Sequence, residues 1–438
     1  MKRLNVVCSV MLLVIMLMPL TASAQITYNS GFQVQNLDPS GDATVVITFY
    51  NQDGTIAATV NDTIPAGGSK TYFPLNAVNE GFNGSVVISA DREIRAIVNV
   101  LGNGLAYGAS YGAFTAGANT VYVPLLMKAN SGYTTWFKVQ NAGSDVTNVN
   151  VTYSDGVTVS CNNLKPGASC TFDQATEAHA SGWVGSAIVT ASQPVAVTVI
   201  EVGPTTLFAY NGFTDGSTDV VMPLINANNA GYITGVQIMN LGDTDTEVTV
   251  SYTPSLAGTA CTETKTIPAG KSETFALYAF ARSVPGENCV DGAKFIGSAR
   301  ITGNSTNQKL VAVVNQLNIG ANKGAAYEAF DPSTATDTVV MPLIMDRNSN
   351  YWTGFSVANV GTTETTVTCT FSGVAYTEEA VLQPGQALTA LQNGKIAPGY
   401  VGSAVCRASA GGKIVGIVNE LNSVLTGDAF LVYSAFNR

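Results

Sequence analysis

The sequence predicts an all-β protein in which four tandem antiparallel β-sandwich domains follow a cleaved signal peptide. Three observations lead to this prediction. The N-terminus carries an apolar run that ends in small residues, a set of landmarks recurs four times along the chain, and apolar and polar residues alternate with a period of two within each repeat. Such alternation is typical of strands with one buried face.

The N-terminal segment, residues 1–24, has the layout of a secretory signal. Two basic residues precede an apolar run from Leu4 to Leu20, which is followed by Ala22-Ser23-Ala24. Small residues at the first and third of these positions are what signal peptidase recognises. We therefore expect cleavage after Ala24, a mature chain that begins at Gln25, and no membrane span after cleavage.

Four landmarks recur in a fixed order, which is the signature of internal repeats. An apolar-x-apolar-x-Asn strand end is followed by a Pro/Gly turn, a Gly-led strand start and a closing Tyr-x-x-Phe. The Asn landmarks are Asn36, Asn141, Asn240 and Asn359. These landmarks divide the mature chain into repeat 1 (25–118), repeat 2 (119–217), repeat 3 (218–336) and repeat 4 (337–438).

Within a repeat the apolar residues alternate with polar ones. In repeat 3, Val248, Val250 and Tyr252 alternate with Thr249 and Ser251, so one face is apolar and the other carries hydroxyls. Each repeat has seven or eight such runs separated by Gly, Pro, Asn and Asp. About 100 residues with that many short strands predict an immunoglobulin-like sandwich.

A strand of the Val-x-x-Pro-Leu type appears three times for four repeats, at Val121–Leu125, Val220–Leu224 and Val339–Leu343. If it opens each sandwich, repeat 1 lacks it; if it closes each sandwich, repeat 4 lacks it. An incomplete sheet edge exposes unpaired backbone groups and invites a strand from another molecule. The alternatives are that Gln25–Tyr28 covers the edge, or that the Pro-Leu segment is only a linker. Because the linkers are short, we expect an elongated particle.

Charge and composition narrow the function classes. Charged residues make up 11% of the chain and its net charge is −10, so an acidic protein of this kind repels phosphate backbones. Nucleic-acid binding is therefore not expected.

Six cysteines remain after cleavage, two in each of repeats 2, 3 and 4. In an exported protein the simplest interpretation is one disulfide in each of these repeats. The predicted pairs are Cys161–Cys170, Cys261–Cys289 and Cys369–Cys406. Free thiols and metal ligation are the alternatives. Metal is disfavoured because the pairs occupy different places in each repeat and lack neighbouring histidines.

Candidate catalytic and metal-binding residues are scarce, and we predict no enzyme, no cofactor and no metal site. The single histidine, His179, lies in a polar loop and is interpreted as solvated. The acidic loops Asp38–Asp42, Asp215–Asp219 and Asp243–Glu247 could offer oxygens to calcium, but Asp, Ser and Gly are also ordinary turn formers. We favour the turn interpretation.

Aromatic residues recur just after the Pro-Leu strand. They either pack the junction between successive domains, which we favour, or stack on sugar rings, since amphipathic rings serve both purposes. The residues concerned are Tyr133, Trp136, Tyr232, Tyr351 and Trp352.

The chain resembles the tandem immunoglobulin-like repeats of secreted bacterial surface proteins, including the cell-adhesion-related class. The stretches Val357–Gly361 and Pro268–Phe275 carry this resemblance, which covers the whole mature chain. It implies attachment and scaffolding roles without a common ligand or active site, and therefore assigns no site residues.

These observations predict an exported, non-catalytic structural or adhesive protein, either extracellular or at the cell surface, with the periplasm as the alternative location. A self-assembling filament or a surface-layer subunit fits this description. The expected partners are the protein itself, through head-to-tail strand addition, or a cell-surface polysaccharide or protein. A polysaccharide-binding array is the second hypothesis, and a secreted hydrolase ranks third.

Overall fold

The computed structural model describes residues 26–104, 106–279, 286, 288–305, 307–422 and 424–438. The expected signal peptide, residues 1–24, lies outside these described residues. Within them the chain forms strands, a 3-10 turn at Pro332–Thr334 and no α-helix, which confirms the all-β prediction. No helix in this part of the chain has the length and apolar character needed to cross a membrane.

The strands follow the alternating segments of the sequence. Repeat 1 contains β1 Tyr28–Asn36, β2 Ala43–Asn51, β3 Ile56–Ile64, β4 Ser69–Tyr72, β5 Gly84–Ala90, β6 Ile94–Gly102 and β7 Tyr107–Gly112. Repeat 2 contains β8 Ala118–Lys128, β9 Thr134–Asn141, β10 Thr147–Tyr153, β11 Thr158–Leu164, β12 Ser169–Asp173, β13 Trp183–Val202 and β14 Leu207–Asn211.

The second half of the chain repeats this order. Repeat 3 contains β15 Asp219–Ala227, β16 Ile233–Asn240, β17 Thr246–Ala257, β18 Cys261–Ile267, β19 Ser272–Phe275, β20 Phe295–Gly303, β21 Leu310–Asn318 and β22 Lys323–Glu328. Repeat 4 contains β23 Thr338–Asp346, β24 Tyr351–Asn359, β25 Thr365–Phe371, β26 Thr377–Leu382, β27 Ala387–Leu391, β28 Tyr400–Ala408, β29 Ile414–Asn422, β30 Phe430–Ser434 and β31 Phe436–Asn437.

Each repeat is built from two antiparallel layers. In repeat 3 the sheets have the orders β15-β20-β17-β18 and β19-β16-β21-β22, and repeat 4 has the same arrangement with β31 added beside β23. In repeat 2 the long strand β13 belongs to both layers: its first half pairs with β8 and β10, and its second half with β9 and β14. The apolar faces of the two layers enclose the core, so Val248, Val250 and Tyr252 are buried in the same cluster as Val236.

In each repeat we call the layer that contains the Asn-ended strand (β1, β9, β16 or β24) the second layer. The Asn at the end of this strand fixes the turn that follows it. The Asn240 side chain donates to the backbone oxygens of Thr244 (2.8 Å) and Ile267 (3.1 Å) and accepts from the Gly242 N–H (2.9 Å). A buried amide is stable only when its polar atoms are paired in this way. The same bonds recur at Asn141 and Asn359, which explains why this landmark marks every repeat.

The Pro-Leu strand opens its sandwich, and within the described residues repeat 1 is therefore one strand short. β8, β15 and β23 pair with the strand of their own repeat that corresponds to β5. In repeat 1 that layer has only the order β3-β2-β5. The alternative in which Gln25–Tyr28 covers this edge is not supported by the described residues, because β1, which begins at Tyr28, pairs with β4 and β6 in the other layer. Gln25 lies outside the described residues.

The structure joins the six cysteines of the described residues in the three predicted pairs, each within one repeat. Cys369 and Cys406 are fully buried and face each other in register between β25 and β28. Cys161 and Cys170 are half-buried and close only a nine-residue separation.

We expect the Cys369–Cys406 disulfide to contribute most to stability, because it links core positions and closes a 37-residue separation. Replacing both cysteines with alanine should lower the free energy of unfolding by about 2–5 kcal/mol. Urea unfolding of this double variant beside a Cys161→Ala/Cys170→Ala control measures the difference. A larger loss in the control would contradict the prediction.

The four repeats close into a ring, and this corrects the elongated particle expected from the sequence. The second-layer hairpins are β6–β7, β13–β14, β21–β22 and β29–β30. They carry apolar residues on both faces, so one face completes the repeat's own core and the other packs on a neighbour. Val313 and Leu317 of repeat 3 lie in the core cluster of repeat 2, and Ile97 of repeat 1 lies in that of repeat 4. Hydrogen bonds that involve a side chain join every pair of neighbouring repeats. Ser110 Oγ donates to Val432 O (2.7 Å, repeats 1 and 4), and Asn211 Nδ2 donates to Gly112 O (2.6 Å, repeats 2 and 1). Asn211 N donates to Glu328 Oε1 (2.5 Å, repeats 2 and 3), and Gln316 Nε2 donates to Asn419 Oδ1 (3.0 Å, repeats 3 and 4).

Candidate functional site

The most unusual chemistry of the described residues lies at the centre of the ring, where the second-layer hairpins of the four repeats meet. We call this region the axial junction. It comprises Glu201, Asn315, Gln316, Glu328, Asn419, Glu420 and Asp428. All four hairpins have the same register, because the Tyr of Tyr-x-x-Phe lies opposite a valine of the first strand in each of them. This shared register brings the residues of the axial junction together. The pairs are Val98–Tyr111, Val199–Tyr210, Val314–Tyr327 and Val418–Tyr433.

Asp428 binds all three other repeats from a fully buried position between β29 and β30. Its backbone N–H donates to the oxygen of Ala106 in repeat 1 (2.8 Å). Its carboxylate oxygens accept from the backbone N–H groups of Leu207 in repeat 2 (2.6 Å) and Gly324 in repeat 3 (2.8 Å). One residue of repeat 4 therefore forms hydrogen bonds with all three other repeats.

The electrostatics at Asp428 are set mainly by burial. Desolvation raises the pKa of the Asp428 carboxyl to about 8, although the two N–H donors and the nearby Lys323 ammonium oppose the shift. The Lys323 ammonium donates to the backbone oxygens of Leu425 and Gly427, so it too links repeat 3 to repeat 4.

Side-chain pairs bridge successive repeats at equivalent positions. Between repeats 3 and 4, Gln316 and Asn419 donate to each other's oxygens at 3.0 and 3.2 Å. Between repeats 2 and 3, Glu201 takes the place of the glutamine. Asn315 donates to Glu201 Oε2 (2.7 Å), while Glu201 Oε1 and Asn315 Oδ1 have no hydrogen-bond partner in the described residues.

Burial shifts the acids of the axial junction towards their protonated forms. Burial raises the pKa of Glu201 to about 8 and that of Glu420 to about 7, and it also raises the pKa of Glu328. A protonated carboxyl donates as well as accepts, so protonated Glu201 can pair with Asn315 as Gln316 pairs with Asn419. The arrangement therefore favours protonated carboxyls and holds neighbouring repeats together.

The described residues contain no group of three or more His, Cys, Asp or Glu side chains placed to hold a metal ion. The acidic loops use their carboxylates locally. Asp38 accepts from the N–H and hydroxyl of Ser40 (2.8 and 2.7 Å), and these bonds lower the pKa of Asp38 to about 2. Asp215 pairs with Lys309 (2.7 Å), and Asp245 caps the Ala269 N–H (3.0 Å).

His179 is buried, and the expectation of a solvated histidine is wrong. Its ring stacks on Trp183 at a centroid distance of 3.8 Å, and its Nδ1 lies 2.7 Å from Asp155 Oδ2. A histidine with one acidic partner suggests a catalytic dyad, but Nε2 faces no hydroxyl or other hydrogen-bond partner in the described part of the chain. Its visible role is to pack the end of repeat 2.

The recurring aromatics are half-buried, and Trp136 and Tyr232 make ring contacts with a neighbouring repeat. Trp136 packs edge-on against Tyr28 of repeat 1 (5.8 Å between centroids), and Tyr232 packs against Phe430 of repeat 4 (5.5 Å). Tyr133 remains within repeat 2, where its hydroxyl lies 3.2 Å from Thr206 Oγ1. Tyr351 and Trp352 are half-buried in repeat 4, and the Trp352 indole nitrogen has no hydrogen-bond partner in the described residues.

Sequence reasoning missed the axial junction and also Tyr28. A signal existed for each. Tyr28 precedes Phe32 by the same four residues that separate Tyr133 from Phe137. Glu201 and Glu420 interrupt strongly apolar strands, where an acid is rarely buried without a structural reason.

Comparison with protein-family models found no matching model, and comparison with curated proteins found no significant match.

Proposed function

We propose that this chain is an exported, non-catalytic protein that serves a structural or adhesive role at or beyond the cell surface. In this proposal the repeats are immunoglobulin-like sandwiches, residues 1–24 direct export, and the mature protein is a compact four-lobed subunit. A subunit of this shape suits an ordered surface layer better than a rod does.

The observation that supports this proposal is that buried polar groups form hydrogen bonds between repeats. Asp428, Glu201 and the Gln316–Asn419 pair all bind one repeat to another. Polar groups buried in this way stabilise a particular arrangement of domains when their bonds are made. Three intra-repeat disulfides add the kind of reinforcement that oxidising compartments permit.

The proposal is tested by locating the native protein with immuno-electron microscopy of intact and sectioned cells. We expect label at the cell surface or in extracellular material, and none confined to the cytoplasm. Cytoplasmic label would contradict export. Binding of soluble glycans that is lost in Tyr232→Ala and Tyr351→Ala, but kept in Tyr400→Ala, would favour the polysaccharide-binding hypothesis instead.

A further inference from the structure

Among the described residues, the incomplete layer of repeat 1 leaves one edge of β5 without a partner strand. In repeats 2, 3 and 4 the strand that corresponds to β5 is covered by the Pro-Leu strand, with Val189 opposite Val121, Ile301 opposite Val220 and Cys406 opposite Val339. Those three inward residues are fully buried, whereas Ile88 at the same place in repeat 1 is only half-buried. The missing strand therefore leaves part of this core uncovered.

We call the position beside β5, which the Pro-Leu strand fills in the other repeats, the slot. The Phe of Tyr-x-x-Phe forms its second wall. The backbones of Phe213 and Tyr122 exchange two hydrogen bonds (both 2.8 Å), and those of Phe330 and Val221 do the same (2.9 and 2.8 Å). These bonds hold the Pro-Leu strand on the side away from the β5-like strand. Phe114 occupies this position in repeat 1, and its backbone makes no such pair in the described residues.

A tyrosine hydroxyl supplies a third contact. Tyr210, Tyr327 and Tyr433 each donate to the backbone oxygen of the Leu that follows the proline, at 2.5, 2.6 and 2.7 Å. Tyr111 is the counterpart in repeat 1. Burial raises the pKa of Tyr111 to about 12, and its hydroxyl has no backbone acceptor of this kind in the part of the chain described.

The next repeat in the ring forms the outer border of the slot. Ser356 of repeat 4 donates to the oxygen of Pro223 in repeat 3 (2.8 Å), and Gln33 of repeat 1 donates to that of Pro342 in repeat 4 (3.4 Å). The equivalent residue beside repeat 1 is Lys138, whose ammonium instead contacts the Asn83 side chain. The slot thus lies between repeats 1 and 2.

If the chain is cleaved as proposed, it has no strand to spare for this slot. With cleavage after Ala24, only Gln25–Gly31 precede Phe32, and β1 already uses the last four of these residues. A second copy has none to lend either, because β8, β15 and β23 are each paired within their own repeats.

The expected signal segment nevertheless carries the pattern of the missing strand. Met18-Pro19-Leu20 places its proline thirteen residues before Phe32. The same thirteen residues separate Pro124 from Phe137, Pro223 from Val236 and Pro342 from Phe355. The precursor therefore contains a sequence suited to the slot, and the expected cleavage removes it.

We propose that the mature protein has an acceptor slot, formed by β5, Tyr111 and Phe114, that binds an apolar, proline-containing strand donated by a separate polypeptide. The bound strand is antiparallel to β5, turns alternate apolar side chains onto Ile88, and offers the backbone oxygen after its proline to Tyr111. Backbone pairing supplies affinity, and the buried alternate side chains supply specificity. The proposal rests on the proposed export of the chain, since cleavage would remove the only N-terminal segment with the Pro-Leu pattern.

The test uses a labelled peptide with the sequence of residues 218–227 and the protein comprising residues 25–438. We expect saturable one-to-one binding by fluorescence anisotropy, with slower hydrogen exchange at the amides of Val86–Ser89. A Tyr111→Phe variant should bind about fivefold more weakly, because it loses a single hydrogen bond. Tyr400→Phe, which removes a hydroxyl from repeat 4, should bind as the parent does.

Two further controls separate the alternatives. A peptide with Val220→Asp and Met222→Asp should not bind, since its inward side chains are charged. A chain in which Val-Val-Met-Pro-Leu-Ile is fused with its proline thirteen residues before Phe32 should fill the slot itself and lose peptide binding. The proposal is overturned if the peptide fails to bind the folded protein at millimolar concentration, if the aspartate peptide binds equally, or if the slot is occupied by a second copy. N-terminal sequencing of the exported protein tests export separately, and a mature form that keeps residues 16–22 would assign the slot to the chain's own segment.

Discussion

Replacing Asp428 with alanine is expected to lower the free energy of unfolding by about 2–4 kcal/mol. The substitution removes the acceptors of the Leu207 and Gly324 N–H groups, which lie 2.6 and 2.8 Å from the carboxylate and belong to two other repeats. A buried donor that loses its acceptor keeps the full desolvation penalty. Urea unfolding measures the loss, and hydrogen exchange at these two amides should accelerate more than exchange within the sandwich cores.

The matched control is Asp215→Ala. Asp215 is an exposed acid that pairs with Lys309 at the surface, and such pairs contribute at most about 1 kcal/mol. If Asp428→Ala is no more destabilising than this control, the axial junction does not hold the ring together.

The ring is expected to lose stability as the pH rises from 5 to 8.5. The pKa values of Glu201 and Glu420 are raised by burial to about 8 and about 7, so the folded protein keeps protons that the unfolded chain releases above its ordinary value near 4.5. This contribution is fully present below the unfolded pKa and is lost as the pH passes the folded values. We expect unfolding free energies at pH 8.5 to be about 2–4 kcal/mol below those at pH 5.

A Glu201→Gln/Glu420→Gln variant should retain only about half of this pH dependence, because Asp428 and Glu328 still titrate. Glutamine is the residue that repeat 3 carries at this position, where Gln316 pairs with Asn419. Glu93→Gln, an exposed acid, should leave the slope unchanged. Equal slopes in the double variant and the parent protein would show that these carboxyls do not govern the pH response.

The layers within each repeat could be predicted because their signals are local. The alternation at Val248, Val250 and Tyr252 predicts a strand with one buried face, and all three side chains are buried. The pairing of Cys369 with Cys406 was also predictable, since both align with core positions of the other repeats.

The ring could not be predicted from the same alternation, because that pattern was interpreted as the core of a single repeat. The informative signal was a departure from alternation: Leu310–Val314 is apolar at every position, as expected for a strand covered on both faces. Asp428 gave no such signal, because its two acceptor bonds are to backbone N–H groups of other repeats and leave no mark in the side-chain sequence.

Closure of the ring through Asp428 also sets the order in which the molecule can be completed. The bond from Ser110 to Val432 spans 322 residues, and Asp428 lies only ten residues before Arg438. During synthesis the chain emerges N-terminus first and can fold each sandwich in turn, because contacts within a repeat are comparatively local. The interlocking faces of the earlier repeats stay uncovered until the last hairpin has been made, so an incompletely synthesised chain exposes apolar surfaces that the closed ring buries.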